Sequence, residues 1–304
     1  MTDGALPVEP LRVATHSGSF HADEVFALAT LRMAFVAIGI IRTRDPEALA
    51  QCDLRVDVGR KYDPETGDYD HHQGDAGERA NGIRYASFGL VWKTFGAQVC
   101  GSEEIANELD NSLVAPVDAG DNGQELCEPR FDGVNAYQLG RLISGFGSTW
   151  DDPDRDASEQ QGFGEALMLA DGIIRREIAQ AQARARATGL VRDAIAKADD
   201  PRIIEFDRGL PWKAVVMNEA PDALIVIYPR EKDWGVQAVP ADQGTFENRH
   251  DLPEAWAGLE GPELAAASGV EDAVFCHIGR FMAVAGSRDG AIAMAKLAVD
   301  GAGE

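Results

Sequence analysis

Two histidines and an aspartate lie within eight positions of the stretch THSGSFHADE, residues 15–24. His16, His21 and Asp23 follow a strand-like segment at residues 11–14. Imidazole and carboxylate groups are ligands for divalent transition metals. The same stretch is also typical of a turn in which Ser and Asp cap a helix while the histidines are solvated. By itself, this segment leaves both interpretations open.

Further carboxylates and histidines follow other apolar segments of the first half of the chain. They are Asp57 after a strand-like run, Asp70, His71 and His72 in YDHHQ, and Asp118 in VDAGDNG. Open α/β sheets bind ligands at the carboxyl ends of their strands. An aspartate shared by two ions about 3.5–4 Å apart supports in-line displacement at phosphorus. Each residue also has a purely structural alternative as a cap, a turn or a surface pair, but together they predict a two-metal site.

Strand-length apolar runs alternate with helical patterns over about the first 150 residues, which is typical of a parallel sheet flanked by helices. We predict strands at 13–14 and 54–58, helices at 24–38, 87–95 and 103–113, and a short apolar segment at 113–117. A polar segment at 148–161 precedes a long helical pattern at 162–198. This organisation predicts an N-terminal domain that ends in a connecting helix.

After Pro201, closely spaced strand-like runs replace the alternation, and a helical pattern ends the chain. The predicted strands are 202–206, 214–217, 223–228 and 234–239, and the predicted helix is 290–299. The predicted fold class is therefore α/β, with a parallel helix-flanked sheet first and a smaller α+β domain second. The predicted boundaries are 1–160 for the metal-binding phosphoesterase domain, 161–199 for the connector helix and 200–304 for a substrate-binding domain.

Composition restricts the partners and the compartment. The net charge of −23 argues against long duplex nucleic acid, since that ligand requires a basic surface, but it permits short or single-stranded substrates where divalent cations reverse the local sign. Apolar runs are too short to span a bilayer and the N-terminus lacks a signal pattern, so we expect a cytoplasmic protein without a membrane partner. The four cysteines are scattered and are expected to be buried free thiols.

Several motifs, taken in order, resemble one family. THSGSFHADE, DVG followed by DHHQ, SFGLVWKTFG and VDAGDNG resemble the melanocyte-proliferating-gene family, an uncharacterised family within the DHH phosphoesterase superfamily. PEAWAGLEGPEL at 253–264 and VFCHIGRFMAVAG at 274–286 extend the resemblance through the second domain. The resemblance therefore covers almost the whole chain.

The resemblance implies two divalent ions, with Mn²⁺ preferred and Mg²⁺ or Zn²⁺ as alternatives. One ion is expected on His16, His21 and Asp57, and the other on Asp23, the shared Asp57, His71 and Asp118. Asp70 is expected to orient His71. His72 is expected to face the substrate phosphate and, with Asp57, to be catalytic. His21 stands where the wider superfamily has Asp, which removes one negative charge from the first ion's site.

Four further residues are predicted to bind substrate. Ser87 and Gly89 lie near a helix N-terminus, where backbone N–H groups can bind phosphate. His277 and Arg280 belong to a segment that resembles the family's C-terminal substrate-binding motif. A guanidinium such as that of Arg280 can clamp a phosphate, whereas His277 has the alternative of packing at a strand end.

The implied activity is 3′-5′ exoribonuclease hydrolysis of RNA or short oligonucleotides by a water activated between two metal ions. Two alternatives stay open at this point. One is a small-molecule phosphohydrolase acting on pyrophosphate or a cyclic dinucleotide, and the other is a non-catalytic metal-binding protein. The sequence also leaves open whether the chain forms a homo-oligomer.

Overall fold

The computed structural model describes residues 9–74, 76–242 and 247–301. The chain divides into two compact units, residues 1–182 and 183–304. Helices and two five-stranded sheets make up these units, which confirms a mixed α/β protein. Within the described residues, every helix is too short or too polar to cross a bilayer.

The first unit contains a mainly parallel sheet. Its strands are β1 (Leu11–Thr15), β2 (Ile38–Arg42), β3 (Leu54–Val56), β4 (Tyr62–Asp63) and β5 (Asp68–Tyr69). They lie in the order β2-β1-β3-β5-β4, and β4 is the antiparallel member. Val13 pairs with Leu54, and Arg55 pairs with Asp68. Three adjacent parallel strands, β1, β3 and β5, therefore end at the same edge.

Helices cover this sheet and complete its core. They are α1 (Ala22–Ala34), α2 (Pro46–Leu49), α3 (Ser87–Cys100), α4 (Glu103–Leu109), a π-helical turn (Asp110–Val114), α5 (Ala115–Asp121), α6 (Leu139–Ser144) and α7 (Arg155–Lys197). The rings of Phe26 in α1 and Phe88 in α3 lie 5.4 Å apart, and both are fully buried. Because α1 and α3 begin at the edge where the parallel strands end, their first turns can contribute to a site there.

The apolar segment at 113–117 is helical, since it crosses from the π-helical turn into α5. Val114 and Val117 are both buried, and their spacing of three residues places them on one helix face. A short apolar run does not by itself distinguish a buried helix from a strand. The predicted helix at 24–38 also ends early, at Ala34, because β2 begins at Ile38.

The second unit contains a mixed sheet. Its strands are β6 (Ile203–Glu205), β7 (Ile225–Pro229), β8 (Trp234–Ala238), β9 (Ala273–Cys276) and β10 (Met282–Ala285), in the order β6-β7-β8-β10-β9. Its helices are α8 (Lys213–Glu219), a 3₁₀ turn (Glu254–Trp256), α9 (Gly261–Ser268) and α10 (Arg288–Asp300). The strand predicted at 214–217 is wrong, because these residues form α8 and bury Val216 beside Phe206 and Trp212.

Candidate metal centre

Three side chains converge at the edge where the parallel strands of the first unit end. His16 follows β1, Asp57 follows β3, and His71 lies two residues after β5. Asp57 lies between the histidines: its Oδ2 is 3.2 Å from His16 Nε2, and its Oδ1 is 3.5 Å from His71 Nε2. The strand order therefore gives this carboxylate a neighbour on each side.

Asp57 adopts a backbone conformation that is unusual for a residue with a side chain. Its φ angle is +56°, in the left-handed region, where Asp and Asn occur more readily than most other residues. Its side chain is buried, and its Oδ1 also accepts a hydrogen bond from the Ser87 hydroxyl at 3.1 Å. This local strain at a buried acid is typical of a functional position.

The first turn of α1 adds two more carboxylates. Glu24 Oε1 lies 3.1 Å from His16 Nε2, and the Glu24 carboxylate also accepts the His21 backbone N–H at 2.8 Å. Asp23 Oδ2 lies 3.8 Å from His71 Nε2, while the buried Asp23 Oδ1 has no hydrogen-bond partner. Our sequence analysis missed Glu24, although it directly follows Asp23 in the HADE segment.

Potential ligand atoms fall into three overlapping groups within the described residues, and the atoms of each group lie within 4.8 Å of one another. The groups are His16, His21, Glu24 and Asp57; Asp57, His71 and His72; and His21, Asp23 and Asp121. Five of the six predicted ligands, namely His16, His21, Asp23, Asp57 and His71, therefore lie in one place. The three groups together contain eight different residues, which we call the acidic-histidine cluster.

Asp118, the sixth predicted ligand, is held elsewhere. One of its oxygens lies 2.8 Å from Arg79 Nη1, and the other accepts the Gly89 backbone N–H at 3.0 Å. Asp121, one helical turn later in α5, lies 3.2 Å from His71 Nε2 instead. Asp118 therefore lies apart from the cluster, because the segment is a helix whose buried face holds it against Arg79 and Gly89, while Asp121 faces His71.

Asp70 contacts a different histidine from the one we predicted. Its Oδ1 accepts the His72 backbone N–H at 2.9 Å and lies 2.8 Å from His72 Nδ1. Its Oδ2 accepts the Arg60 backbone N–H at 2.7 Å. Asp70 therefore orients His72 rather than His71, and it does so at a side chain that is 56% exposed.

The backbone N–H groups of Ser87 and Gly89, which we predicted to bind phosphate, donate to carboxylates of the protein itself. Ser87 donates its N–H to Asp23 Oδ2 at 3.3 Å, and Gly89 donates its N–H to Asp118. The start of α3 thus holds carboxylates of the protein itself. A role of Ser87 or Gly89 in substrate binding stays a prediction.

His277 and Arg280 lie in the turn between β9 and β10 of the second unit. The Gly279 N–H donates to His277 Nδ1 at 2.9 Å, and Arg280 donates to Asp251 at 2.8 Å. Arg280 has a φ angle of +54°. Its guanidinium is thus paired within its own unit, and a role of either residue in substrate binding stays a prediction.

A family comparison agrees with the motif order. The model of the uncharacterised protein family UPF0160, the MYG1 exonuclease model, matches residues 12–299. The chain belongs to the MYG1 family. Membership of this family, which the order of the motifs predicted, is therefore confirmed.

MYG1 relatives match this chain over nearly its whole length. The proteins of Bos taurus and Homo sapiens, both named MYG1 exonuclease, are each 33% identical over 324 residues. Those alignments cover 94% of this chain, 84% of the bovine protein and 85% of the human protein. A MYG1 protein of Schizosaccharomyces pombe is 32% identical, with 95% of this chain and 98% of the yeast protein covered.

Positive charge stabilises the carboxylates of the acidic-histidine cluster. Burial disfavours protonated His16, but contacts with Asp57 and Glu24 outweigh it and raise the His16 pKa to about 10. Burial likewise opposes a charged His71, and Asp121 and Asp57 raise its pKa to about 10. Burial opposes ionisation of Asp57, yet the two histidines hold its pKa well below the usual range. Buried carboxylates here are stabilised only beside cations.

Asp23 differs from Asp57, because its pKa is raised rather than lowered. Burial, followed by the negative charges of Asp57, Asp121 and Glu24, raises its pKa well above the usual value. Together with its unpartnered Oδ1, this identifies a buried position where another cation would be stabilised. The donor set of carboxylates and imidazoles fits divalent ions of the Mn²⁺ or Zn²⁺ type.

We predict that Ser87→Ala weakens metal binding by about 10–100-fold, because Asp57 loses the hydroxyl that fixes one of its oxygens. Isothermal titration with Mn²⁺ would measure the change. Ser287→Ala is the matched control, since Ser287 accepts a hydrogen bond at the start of α10 in the other unit. Equal Mn²⁺ affinity in wild type and Ser87→Ala would contradict the role of this hydroxyl.

We predict that Gly89→Ala destabilises the protein by about 2–3 kcal/mol, because the space beside Gly89 is filled. A Cβ atom there would lie 1.9 Å from Asp118 Oδ2 and 2.8 Å from Arg79 Nη2. Gly164→Ala in α7 is the control: its Cβ would meet no atom within 4 Å, and we expect a gain of about 0.5–1 kcal/mol. Urea unfolding would compare them, and equal free energies of unfolding would contradict the prediction.

Proposed function

We propose that this protein is a divalent-metal-dependent phosphodiesterase of the exonuclease type that acts on RNA or short oligonucleotides. The observation that carries the proposal is the acidic-histidine cluster around the buried Asp57 at the ends of β1, β3 and β5. The names of the bovine and human relatives support the same class of activity. Placement within the DHH phosphoesterase superfamily and the 3′-5′ direction stay part of this proposal.

Two ligand sets share Asp57 in the proposed site. His16, His21 and Glu24 complete one set, and Asp23, His71 and Asp121 complete the other. Divalent ions bound there would stabilise negative charge on phosphate and make water a better nucleophile. The mixture of imidazole and carboxylate donors supports Mn²⁺ as the preferred ion, with Mg²⁺ and Zn²⁺ as competitors.

The protein's own side chains have distinct tasks in this proposal. Asp57 is fixed by Ser87, so that one carboxylate serves both ligand sets. His72 is an exposed member of the cluster and is held by Asp70, which would orient its ring toward a bound phosphate oxygen. A hydrogen-bond donor held in advance stabilises the charge that develops during displacement. None of these tasks requires a covalent nucleophile from the protein.

The decisive experiment is a substrate panel with purified protein and added Mn²⁺. The panel contains short RNA labelled at either end, the matching single-stranded DNA, pyrophosphate and a cyclic dinucleotide. We expect stepwise loss of nucleotides from the labelled oligonucleotides, loss of activity with a chelator, and recovery on adding Mn²⁺. Asp57→Asn protein, purified in parallel, controls for contaminating nucleases.

Other outcomes would replace the proposal. Hydrolysis confined to pyrophosphate or the cyclic dinucleotide would indicate a small-molecule phosphohydrolase. Metal binding without turnover of any substrate would indicate a non-catalytic metal-binding protein. Activity that persists after complete metal removal would contradict the assigned chemistry of the acidic-histidine cluster.

A further inference from the structure

A cavity of about 820 Å³ opens beside the acidic-histidine cluster within the first unit. Asp57, His71 and His72 lie on its wall at the cluster. Elsewhere the wall is largely apolar and comes from the π-helical turn, α5, α6 and the segment between these two helices. The apolar lining residues include Leu113, Pro116, Val117, Leu126 and Leu139. One cavity therefore joins a phosphate-type site to an apolar surface.

The segment at 122–138, between α5 and α6, exposes large apolar side chains rather than burying them. Leu126 is 53% exposed, Phe131 is 66% exposed and Tyr137 is 65% exposed. Of these, Leu126 lines the cavity. Apolar groups that do not contribute to the core, and that are continuous with a cavity, commonly mark a ligand-binding surface.

The charge of this cavity differs from that of the chain as a whole. Although the net charge is −23, the carboxylates among its described lining residues are Asp57 and Asp121, both of the cluster. Arg141 also lines the cavity and forms no ion pair with a described carboxylate. Its guanidinium lies 5.4 Å from the centre of the Tyr137 ring. Beyond the cluster, the lining is thus mainly apolar, with the uncharged polar side chains of Ser112, Gln124, Gln138 and Ser144 and the cation Arg141.

We propose that this cavity binds the unpaired terminal nucleotide of the substrate, with its phosphate at the acidic-histidine cluster and its base against the apolar wall. The proposal rests on the proposed function and names the part of the substrate that the site recognises. Arg141 supplies positive charge to the sugar-phosphate chain. A nucleotide matches this combination because it carries an anionic and a planar apolar part, whereas pyrophosphate would leave the apolar wall uncovered.

The volume of the cavity supports binding of an unpaired terminus of the nucleic-acid substrate. Pockets for small ligands measure about 300–1,000 Å³, so this cavity is of the size that encloses a terminal nucleotide rather than a duplex. A base offers its face to apolar side chains only after it has left the base pair and the stack. The inferred substrate class is therefore nucleic acid with a single-stranded terminus.

Cys127 allows the occupancy of the cavity to be measured in the unmodified protein. It lines the cavity and is exposed, whereas the other three cysteines, Cys52, Cys100 and Cys276, are buried. In the presence of Mn²⁺, we expect saturating AMP or UMP, as 5′- or 3′-monophosphates, to slow maleimide labelling of Cys127 at least about fivefold. Ribose 5-phosphate and inorganic phosphate should have little effect. Cys127→Ser identifies any labelling that occurs elsewhere.

Two outcomes of this experiment would overturn the inference. One is equal protection of Cys127 by AMP and ribose 5-phosphate, because the base would then contribute nothing. The other is the absence of protection by every nucleotide at concentrations up to 10 millimolar, roughly the upper limit for a ligand with a specific pocket. Both outcomes are measured as the rate of Cys127 labelling, which does not depend on substrate hydrolysis.

A pair of variants tests the apolar wall directly. Leu126→Asn is expected to reduce the preference for AMP over ribose 5-phosphate about fivefold in calorimetric titrations, because an apolar contact with the base is lost. Val36→Asn is the matched control, since Val36 is also exposed but lies outside the cavity lining. An unchanged preference in Leu126→Asn, confirmed with Leu139→Ala, would reject the base-binding wall.

An abasic substrate separates this inference from the proposed function. An oligonucleotide whose terminal nucleotide lacks its base should be cleaved about 10–100-fold more slowly than the intact one, since one base contact contributes on this scale. Equal cleavage of both would reject the pocket but retain the phosphodiesterase. Cleavage of neither in Mn²⁺ would reject the proposed function, while the Cys127 labelling would still decide whether the nucleotide binds.

Discussion

Asp57→Asn is expected to lower phosphodiesterase activity by about 10³-fold or more and to weaken the binding of both divalent ions. Asp57 lies within 3.5 Å of histidine nitrogens on both sides, so it is the side chain common to both proposed ligand sets. Metal ions contribute several kcal/mol to a displacement at phosphorus, which corresponds to this loss. Initial rates and the metal content of dialysed protein would measure the two effects.

The substitution is chosen to preserve the backbone at this position. Asn tolerates the left-handed conformation at φ +56° and retains an oxygen for the Ser87 hydroxyl. Asp53→Asn is a suitable control, because Asp53 is exposed at the opposite end of β3. A folded Asp57→Asn protein with wild-type metal content and rate would refute the shared-ligand assignment.

His71 and His72 are expected to affect different properties, namely metal binding and the rate of hydrolysis. His71→Ala should lower metal affinity and activity together, because His71 Nε2 lies within 3.8 Å of carboxylate oxygens from Asp23, Asp57 and Asp121. His72→Ala should leave metal affinity nearly unchanged and slow hydrolysis about 10²-fold, the scale of losing one donor to the transition state. Mn²⁺ titration and kcat would be measured for both variants.

Asp70→Asn provides a matched test of His72. Asp70 contacts His72 Nδ1, so this variant should reproduce part of the loss in kcat with metal affinity retained. An equal loss of Mn²⁺ affinity in His71→Ala and His72→Ala would show instead that both histidines are ligands. In that case His72 would belong to the group it forms with Asp57 and His71.

The sequence was sufficient to predict the sheet edge on which the cluster is built. His16, Asp57 and His71 each follow an apolar run, and parallel strands bring their carboxyl ends together. The order of the motifs also identified the family, which the family comparison confirmed. These conclusions depend on residue types and on their order along the chain, both of which are explicit in the sequence.

The sequence did not indicate which acidic residue of α5 lies next to His71. The apolar run at 113–117 fits a strand or a buried helix equally well, so the sequence placed Asp118 only at the end of an apolar segment. In the structure, α5 buries Asp118 against Arg79 and Gly89 and brings Asp121 to His71. Which of two acids three residues apart reaches a site depends on how the helix is rotated, and packing sets that rotation.

Side-chain partners were likewise decided only by the tertiary structure. Asp70 precedes His71 in the chain but contacts His72, and Ser87 donates to Asp57, which lies 30 positions earlier. Glu24 joins the cluster because the first turn of α1 points it at His16. The sequence by itself determined which chemical groups are present and which strand ends carry them. The tertiary structure decided which of them touch, because hydrogen bonds and ion pairs act over about 3–4 Å and depend on helix rotation and loop path.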